Sequence, residues 1–412
     1  MLDNDKQYFR FLCYFHFLCF LCCGKIIDRL RRNLNKIDVA LLDSMFNLLK
    51  SSLKNSLITL LLVAVFIGIS TTGWTSSSMA ALPAGNAITD GKALLRYALP
   101  IDNEAVRKLQ KSLEDIATQL RANRRWRAIS NDLKTASRVL SKPDKILASV
   151  PEENHDSASV WINELQTGVE KLQEVAKTKD KEETWIERAK LLDLVSKLEE
   201  SMVTDFPYEV PAEYSNLPQL KGRATVEVKT SQGDVEVVLD GYSAPVTAGN
   251  FVDLVQRGFY DGLEFLRAED FYVLQAGDPP GEDVGFIDPK TGEYRAIPME
   301  VLVEGDKEPM YGITLEEAGL YTEMPVLPFS AYGAVAMARP ETEVNGGSSQ
   351  FFFFLFEPEL TPAGRNLLDG RYSVFGYVTQ GKEILEKIKE GDKIESAKVT
   401  QGIDNLVEPQ NA

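Results

Sequence analysis

The feature that most constrains this chain is a change of hydrophobic period across one short stretch. Before Phe206-Pro207-Tyr208-Glu209-Val210-Pro211 and Leu217-Pro218, apolar residues recur every three or four positions, and after it they alternate. A period of 3.6 buries its stripe as a helix and a period of 2 as a strand, so the two halves need different folds. The intervening prolines cannot continue a helix and mark a linker, placed at residues 207–221. At 412 residues the chain is long enough for two or three cores.

Upstream, the first set is Val106, Leu109, Leu113, Ile116 and Leu120, and the second is Trp126, Ile129, Leu133, Ala136 and Leu140. Two more follow: Trp161, Leu165, Val169, Leu172 and Val175, then Trp185, Leu192, Val195 and Met202. Four such helices, interrupted near Pro143 and Pro151, can bury their stripes only against one another, which predicts an up-and-down bundle over residues 82–206. The Trp and Leu stripes are read as core. Downstream, Ala224 to Lys229 and Asp234 to Leu239 read as strands joined by a turn at Ser231-Gln232-Gly233, with further strands at Phe351 to Phe356 and Tyr372 to Val378.

The N-terminal region reads as targeting. Leu57 to Ile69 is an apolar run preceded by Lys50 and Lys54 and followed by Ser76-Ser77-Ser78-Met79-Ala80-Ala81, the order of an export signal with cleavage near Ala80. Residues 45–80 are assigned to it; an uncleaved anchor is the alternative. Residues 1–44 hold a second apolar stretch, Phe9 to Cys23, and read as a leader or as an upstream extension before a start at Met45. All four cysteines (Cys13, Cys19, Cys22, Cys23) lie there with His16; the ligand types suit zinc, but the Phe, Leu and Tyr neighbours favour an apolar leader. No metal or other cofactor is expected. Net charge is -16, and residues 1–80 carry nine Lys/Arg against five Asp/Glu, so their removal makes the balance more acidic still. Nucleic acid is therefore set aside as a partner.

The C-terminal half, residues 222–412, carries a series of motifs in one order. They are Ala244-Pro245-Val246-Thr247-Ala248-Gly249-Asn250-Phe251, Gly258-Phe259-Tyr260-Asp261-Gly262, Phe265 through Asp278, Met337-Ala338, Ser349-Gln350-Phe351-Phe352 and Leu368-Asp369-Gly370-Arg371-Tyr372-Ser373-Val374-Phe375-Gly376. In this the chain resembles the cyclophilin family, which implies an all-β barrel with capping helices behind the all-α bundle, and peptidyl-prolyl cis-trans isomerase activity. Amide rotation costs about 18–20 kcal/mol because the nitrogen lone pair is delocalised. A guanidinium near the prolyl nitrogen favours the twisted state in which that pair is localised, a task that suits Arg267. The resemblance makes Arg267 and Gln275 the catalytic pair. It assigns Phe265, Tyr272, Val273, Ala338, Arg339, Gln350, Phe352, Leu367, Leu368 and Tyr372 to the proline pocket and peptide groove.

The chain departs from the family at the pocket. Phenylalanine and methionine are usual where Tyr272 and Val273 stand, tryptophan and histidine where Leu367 and Tyr372 stand, and asparagine where Arg339 stands. These changes imply slow turnover. The segment from Asp278 to Gly333 is longer than in a minimal cyclophilin, and with the bundle and the leader it is similar to the large thylakoid-lumen cyclophilins of cyanobacteria and plants. That resemblance implies a thylakoid-lumen or periplasmic location, a PsbQ-like bundle, and proline-containing loops of membrane proteins, photosystem II subunits among them, as partners. Membrane association is expected only through such clients or an uncleaved leader. Two other readings stay open: a non-catalytic peptide-binding scaffold, and an extrinsic subunit acting through its bundle.

Overall fold

A computed structural model describes residues 88–122, 125–356 and 366–409; the leader, the cysteine cluster and the export signal lie outside them. Four long helices form the upstream half: α2 (Glu104–Arg121), α3 (Trp126–Leu140), α5 (His155–Thr178) and α6 (Lys181–Glu200), with the short α4 (Pro143–Leu147) between. Each long helix packs on the next, α3 directly on α5 although the short α4 lies between them in sequence, and α2 closes the ring against α6. Val106, Leu109, Leu113, Ile116 and Leu120 are all buried, as the stripe predicted. Two details differ. Trp126, Trp161 and Trp185 are only half-buried against this core, and at the end of α5 the inward position is Ala176, with Val175 at the margin.

One helix before the bundle behaves differently. In α1 (Gly91–Ala98), Leu94, Leu95 and Ala98 pack on the β half, beside Phe329, Ala334 and Tyr377. Gly91 permits this approach, since a Cβ there would meet the Tyr377 Cβ at 2.7 Å. Arg96 points the other way and donates to Glu114 of α2 (2.5 and 2.9 Å) and to Ser196 Oγ of α6 (3.3 Å). A single helix thus joins both halves: burying each leucine is worth roughly 2 kcal/mol, and the charged side is fully paired.

The downstream half is an eight-stranded antiparallel sheet. Its strands are β2 (Arg223–Thr230), β3 (Gly233–Asp240), β4 (Arg267–Glu269), β5 (Val273–Ala276), β8 (Ala334–Met337), β9 (Phe351–Phe354), β10 (Val374–Gln380) and β11 (Ile394–Gln401), in the order β11-β2-β3-β10-β8-β9-β5-β4. The bridge Glu264↔Lys393 joins the segment before β4 to the start of β11, which curls the sheet into a barrel. Two short pairs, β1 (Gln219–Leu220) with β12 (Leu406–Val407) and β6 (Glu300–Val301) with β7 (Met310–Tyr311), complete the strands.

Strand alternation sorts the side chains. Leu274, Ala276, Val335, Met337, Phe351, Phe353 and Phe375 point inward onto α7 (Pro245–Gln256), where Phe251 meets Phe351 edge-on at 5.0 Å. Val273, Phe352, Phe354, Ala334, Ala336, Val374 and Tyr377 point outward, and α1 with Phe329 covers part of that outer face. The long segment 278–333 folds against the barrel around Met299, Val301, Val303 and Leu315. It supplies the cap that α7 lacks. Ala244 has no polar side chain, and the Glu300 carboxylate instead accepts from Val246 N (3.0 Å), Thr247 N (2.7 Å) and Thr247 Oγ1 (2.6 Å). Arg295 ties the same segment to α7 through Asp253 (2.6 Å), with its guanidinium 4.4 Å from the Phe286 ring centroid.

Candidate functional site

Beyond α1 the outer face carries a row fixed by strand register, open at its Arg267 end and closed over toward Ala336 and Val374. Arg267 pairs across with Gln275, Gln275 with Phe352, Phe352 with Ala336, and Ala336 with Val374. The row therefore places a cation, an amide and an apolar floor side by side, from residues scattered over more than a hundred positions. The Phe352 ring is nearly closed over: Phe329 stacks on it at 6.0 Å and Tyr372 meets it edge-on at 5.4 Å. Leu368 and Ala338 are half-buried against the same cluster.

Arg267 lies on the open edge, its side chain 44% exposed. Glu269, two residues along and so on the same face, accepts from Arg267 Nε at 2.7 Å. This hydrogen bond is the main cause that raises the Arg267 pKa, opposed by partial burial. The guanidinium carbon sits 5.6 Å from the Tyr272 ring centroid. Among the described residues no acceptor meets the two terminal nitrogens, so that end of the fork remains free for a ligand.

Gln275 donates from Nε2 to Gln350 Oε1 at 2.8 Å. Gln350 in turn donates from Nε2 to Asp278 Oδ1 (2.7 Å) and to the Val284 carbonyl (2.9 Å), while its backbone carbonyl accepts from Ala338 N (2.9 Å). Sequence reading named the two glutamines and missed Glu269, Asp278 and Phe329. Glu269 was within reach, since two residues on a strand share a face; Asp278 and Phe329 follow no local pattern.

Three of the expected residues stand apart from the row. Phe265 is a correction: its ring is fully buried on the inner side with Phe251 and Tyr260, because it precedes β4 where the chain closes the barrel, so it cannot touch a peptide. Arg339 has its guanidinium engaged, donating to the carbonyls of Arg371 (2.9 and 3.1 Å) and Pro340 (3.1 Å) and lying 5.2 Å from the Tyr372 ring centroid. It props Tyr372 against Phe352. Leu367 is 87% exposed and joins none of the apolar clusters among the described residues. Beside the groove, Phe271 is also exposed (71%) and holds φ +61°, a left-handed conformation that side-chain-bearing residues rarely adopt.

The chain matches known sequences along nearly its whole described length. Residues 90–203 match the domain described as "Peptidyl-prolyl cis-trans isomerase CYP38-like, PsbQ-like domain", and residues 225–407 match the cyclophilin-type peptidyl-prolyl cis-trans isomerases. A thylakoid lumen peptidyl-prolyl cis-trans isomerase of Synechocystis is 57% identical over 364 residues, covering 87% of this chain and 96% of that one. The chloroplastic isomerase CYP38 of Arabidopsis thaliana is 47% identical (80% of this chain, 77% of that one), and CYP37 of the same plant is 36% identical (77% and 71%). The thylakoid-lumen location implied by the resemblance agrees with these relatives. With the bundle, the barrel and these relatives in accord, the chain belongs to the cyclophilin-type peptidyl-prolyl cis-trans isomerases.

Proposed function

We propose that this isomerase turns X-Pro bonds in loops of membrane proteins facing the thylakoid lumen, as a folding and assembly helper, with photosystem II subunits as clients. The observation that carries the site reading is the state of Arg267: one nitrogen pinned by Glu269, the terminal pair without an acceptor among the described residues, and Gln275 and Phe352 in the same row. In this reading the proline ring lies on Phe352, Val273, Leu368 and Tyr372, with Ala338 and Tyr272 at the walls. Arg267 stabilises the localised lone pair of the twisted amide, and Gln275, oriented by Gln350, meets the peptide backbone. Rotation needs no nucleophile and no proton transfer, and the row supplies neither. The PsbQ-like match of the bundle and the lumenal relative support the assembly role.

A protease-coupled assay of the full chain on a proline tetrapeptide tests the chemistry. Arg267→Ala should lower kcat/KM by about 10²–10³, the usual cost of removing a group that stabilises transition-state charge. Wild type and Arg267→Ala both at the uncatalysed rate would overturn the enzyme reading for that substrate. One observation favours a scaffold as second reading: Val273 and Phe352 are only 4% and 6% exposed, which leaves the floor little surface on which a proline ring could turn. Undiminished loop-peptide binding by Arg267→Ala, with no wild-type turnover, would support it.

A further inference from the structure

We infer that Asp278 is a positioning residue that sets which way round the Gln275 side chain faces the peptide; the inference rests on the groove reading above. A carboxylate and a backbone carbonyl only accept hydrogen bonds. Gln350 meets both, Asp278 Oδ1 at 2.7 Å and Val284 O at 2.9 Å, so its NH₂ group must face them. Its own oxygen is then turned to Gln275, which must answer with NH₂ at 2.8 Å. The consequence reaches the groove: Gln275 Oε1 is left as its free side-chain atom, and among the described residues nothing donates to it. A peptide N–H thus finds an acceptor in a fixed place. Were Gln350 reversed, its oxygen would confront a carboxylate and a carbonyl, an arrangement with no hydrogen bond to hold it.

Asp278 is itself held firmly. Gly277 before it has φ +100°, and a Cβ there would lie 2.3 Å from the Ser349 carbonyl; Ser349 Oγ donates to the Gly277 carbonyl at 2.7 Å. The loop carrying the carboxylate is therefore clamped to the residue just before Gln350. Because a backbone contact made in both ground and transition states acts on binding, the effect belongs in KM, while that of Arg267 belongs in kcat.

The test is steady-state isomerase kinetics on the full chain, with side-chain amide ¹⁵N–¹H spectra of Gln275 and Gln350. Asp278→Ala should raise KM about tenfold with kcat within about twofold, and should shift or broaden both amide signals. Asp278→Asn, which keeps an acceptor oxygen, should restore KM to within about twofold. In a Gln275→Ala background, Asp278→Ala should have no further effect. Additive losses in that background, failure of the Asn rescue, or an unmoved KM would overturn the inference. If Asp278→Ala does not fold, Gln350→Met breaks the same relay and should give the same rise in KM; an unchanged KM there would be equally fatal. Wild-type turnover lost on Arg267→Ala upholds the groove reading independently of these outcomes.

Discussion

Arg96 and Arg267 each meet a glutamate, and the comparison separates two uses of one chemical pair. At the junction of α1 with the bundle, Glu114 lies between two guanidiniums, 2.5 Å from Arg96 and 2.6 Å from Arg188, and all three side chains are at most 12% exposed. Arg188 also donates to the Leu113 carbonyl, and Arg96 to Ser196, so little of either fork is left over. In the groove, Arg267 spends one nitrogen on Glu269, and both side chains are about half exposed. A guanidinium whose donors are consumed in a dry site holds architecture together. One whose terminal donors stay free in a wet site can act on a ligand.

The difference should be largest in stability. Glu114→Ala would strand two buried cations and is expected to cost about 3–5 kcal/mol in urea unfolding followed by helical dichroism. Glu269→Ala, losing an exposed pair, should stay within about 1 kcal/mol. Similar losses from both would mean that the two arginine–glutamate pairs serve the same purpose.

A third carboxylate sharpens the comparison, because Glu300 is buried with no cation paired to it among the described residues. Burial pushes its carboxyl up to about 7, against the hydrogen bonds from Thr247 and Val246. A folded-state value above the ordinary 4.5 means stability is fully present below 4.5 and is lost as pH rises through 7. Glu199 of α6, buried and raised to about 8, adds a slope of the same sign. Thermal unfolding at pH 5, 6, 7 and 8 should show Tm falling with pH. Glu300→Gln should flatten that slope by its own share and cost about 1–3 kcal/mol, since an amide cannot accept from all three donors. An unaltered slope in this variant would assign the pH dependence elsewhere.

The smallest effect is expected at the rim of the groove. Phe271→Gly relieves the left-handed backbone, offset by the chain entropy of glycine, and should raise stability by up to about 1 kcal/mol. A clear loss instead would mean that the exposed ring packs on something other than solvent.

Much of this was legible in the sequence where the cause is local. The stripe from Val106 to Leu120 dictated a buried helix face, and alternation sent Phe351 and Phe353 inward and Phe352 and Phe354 outward. The cyclophilin resemblance led to Arg267 and Gln275, and register brings them face to face. Phe265 was carried over from the cyclophilin resemblance, and its ring turns to the inner side because it lies just before β4, where the chain closes onto the start of β11. Glu114, Asp278 and Glu300 carried no signal at all: each is defined by partners distant in sequence, and a lone carboxylate looks the same on paper whether it caps a helix or faces water. Leu94 and Leu95 read like any leucines ahead of a bundle, and only tertiary packing sent them to the barrel.

That placement of α1 governs the order in which the molecule can be completed. Its leucines need Tyr377 on β10, which leaves the ribosome only after most of the chain has followed. Until then α1 has an apolar flank with nothing to rest on, while the bundle can close among its own near neighbours. Such a long loop must be drawn shut before its contacts repay the lost entropy, so docking of the first helix is set to be a late and slow event. The helix nearest the start of the described chain is thereby among the last to be secured, and its docking reports that the barrel behind it is finished.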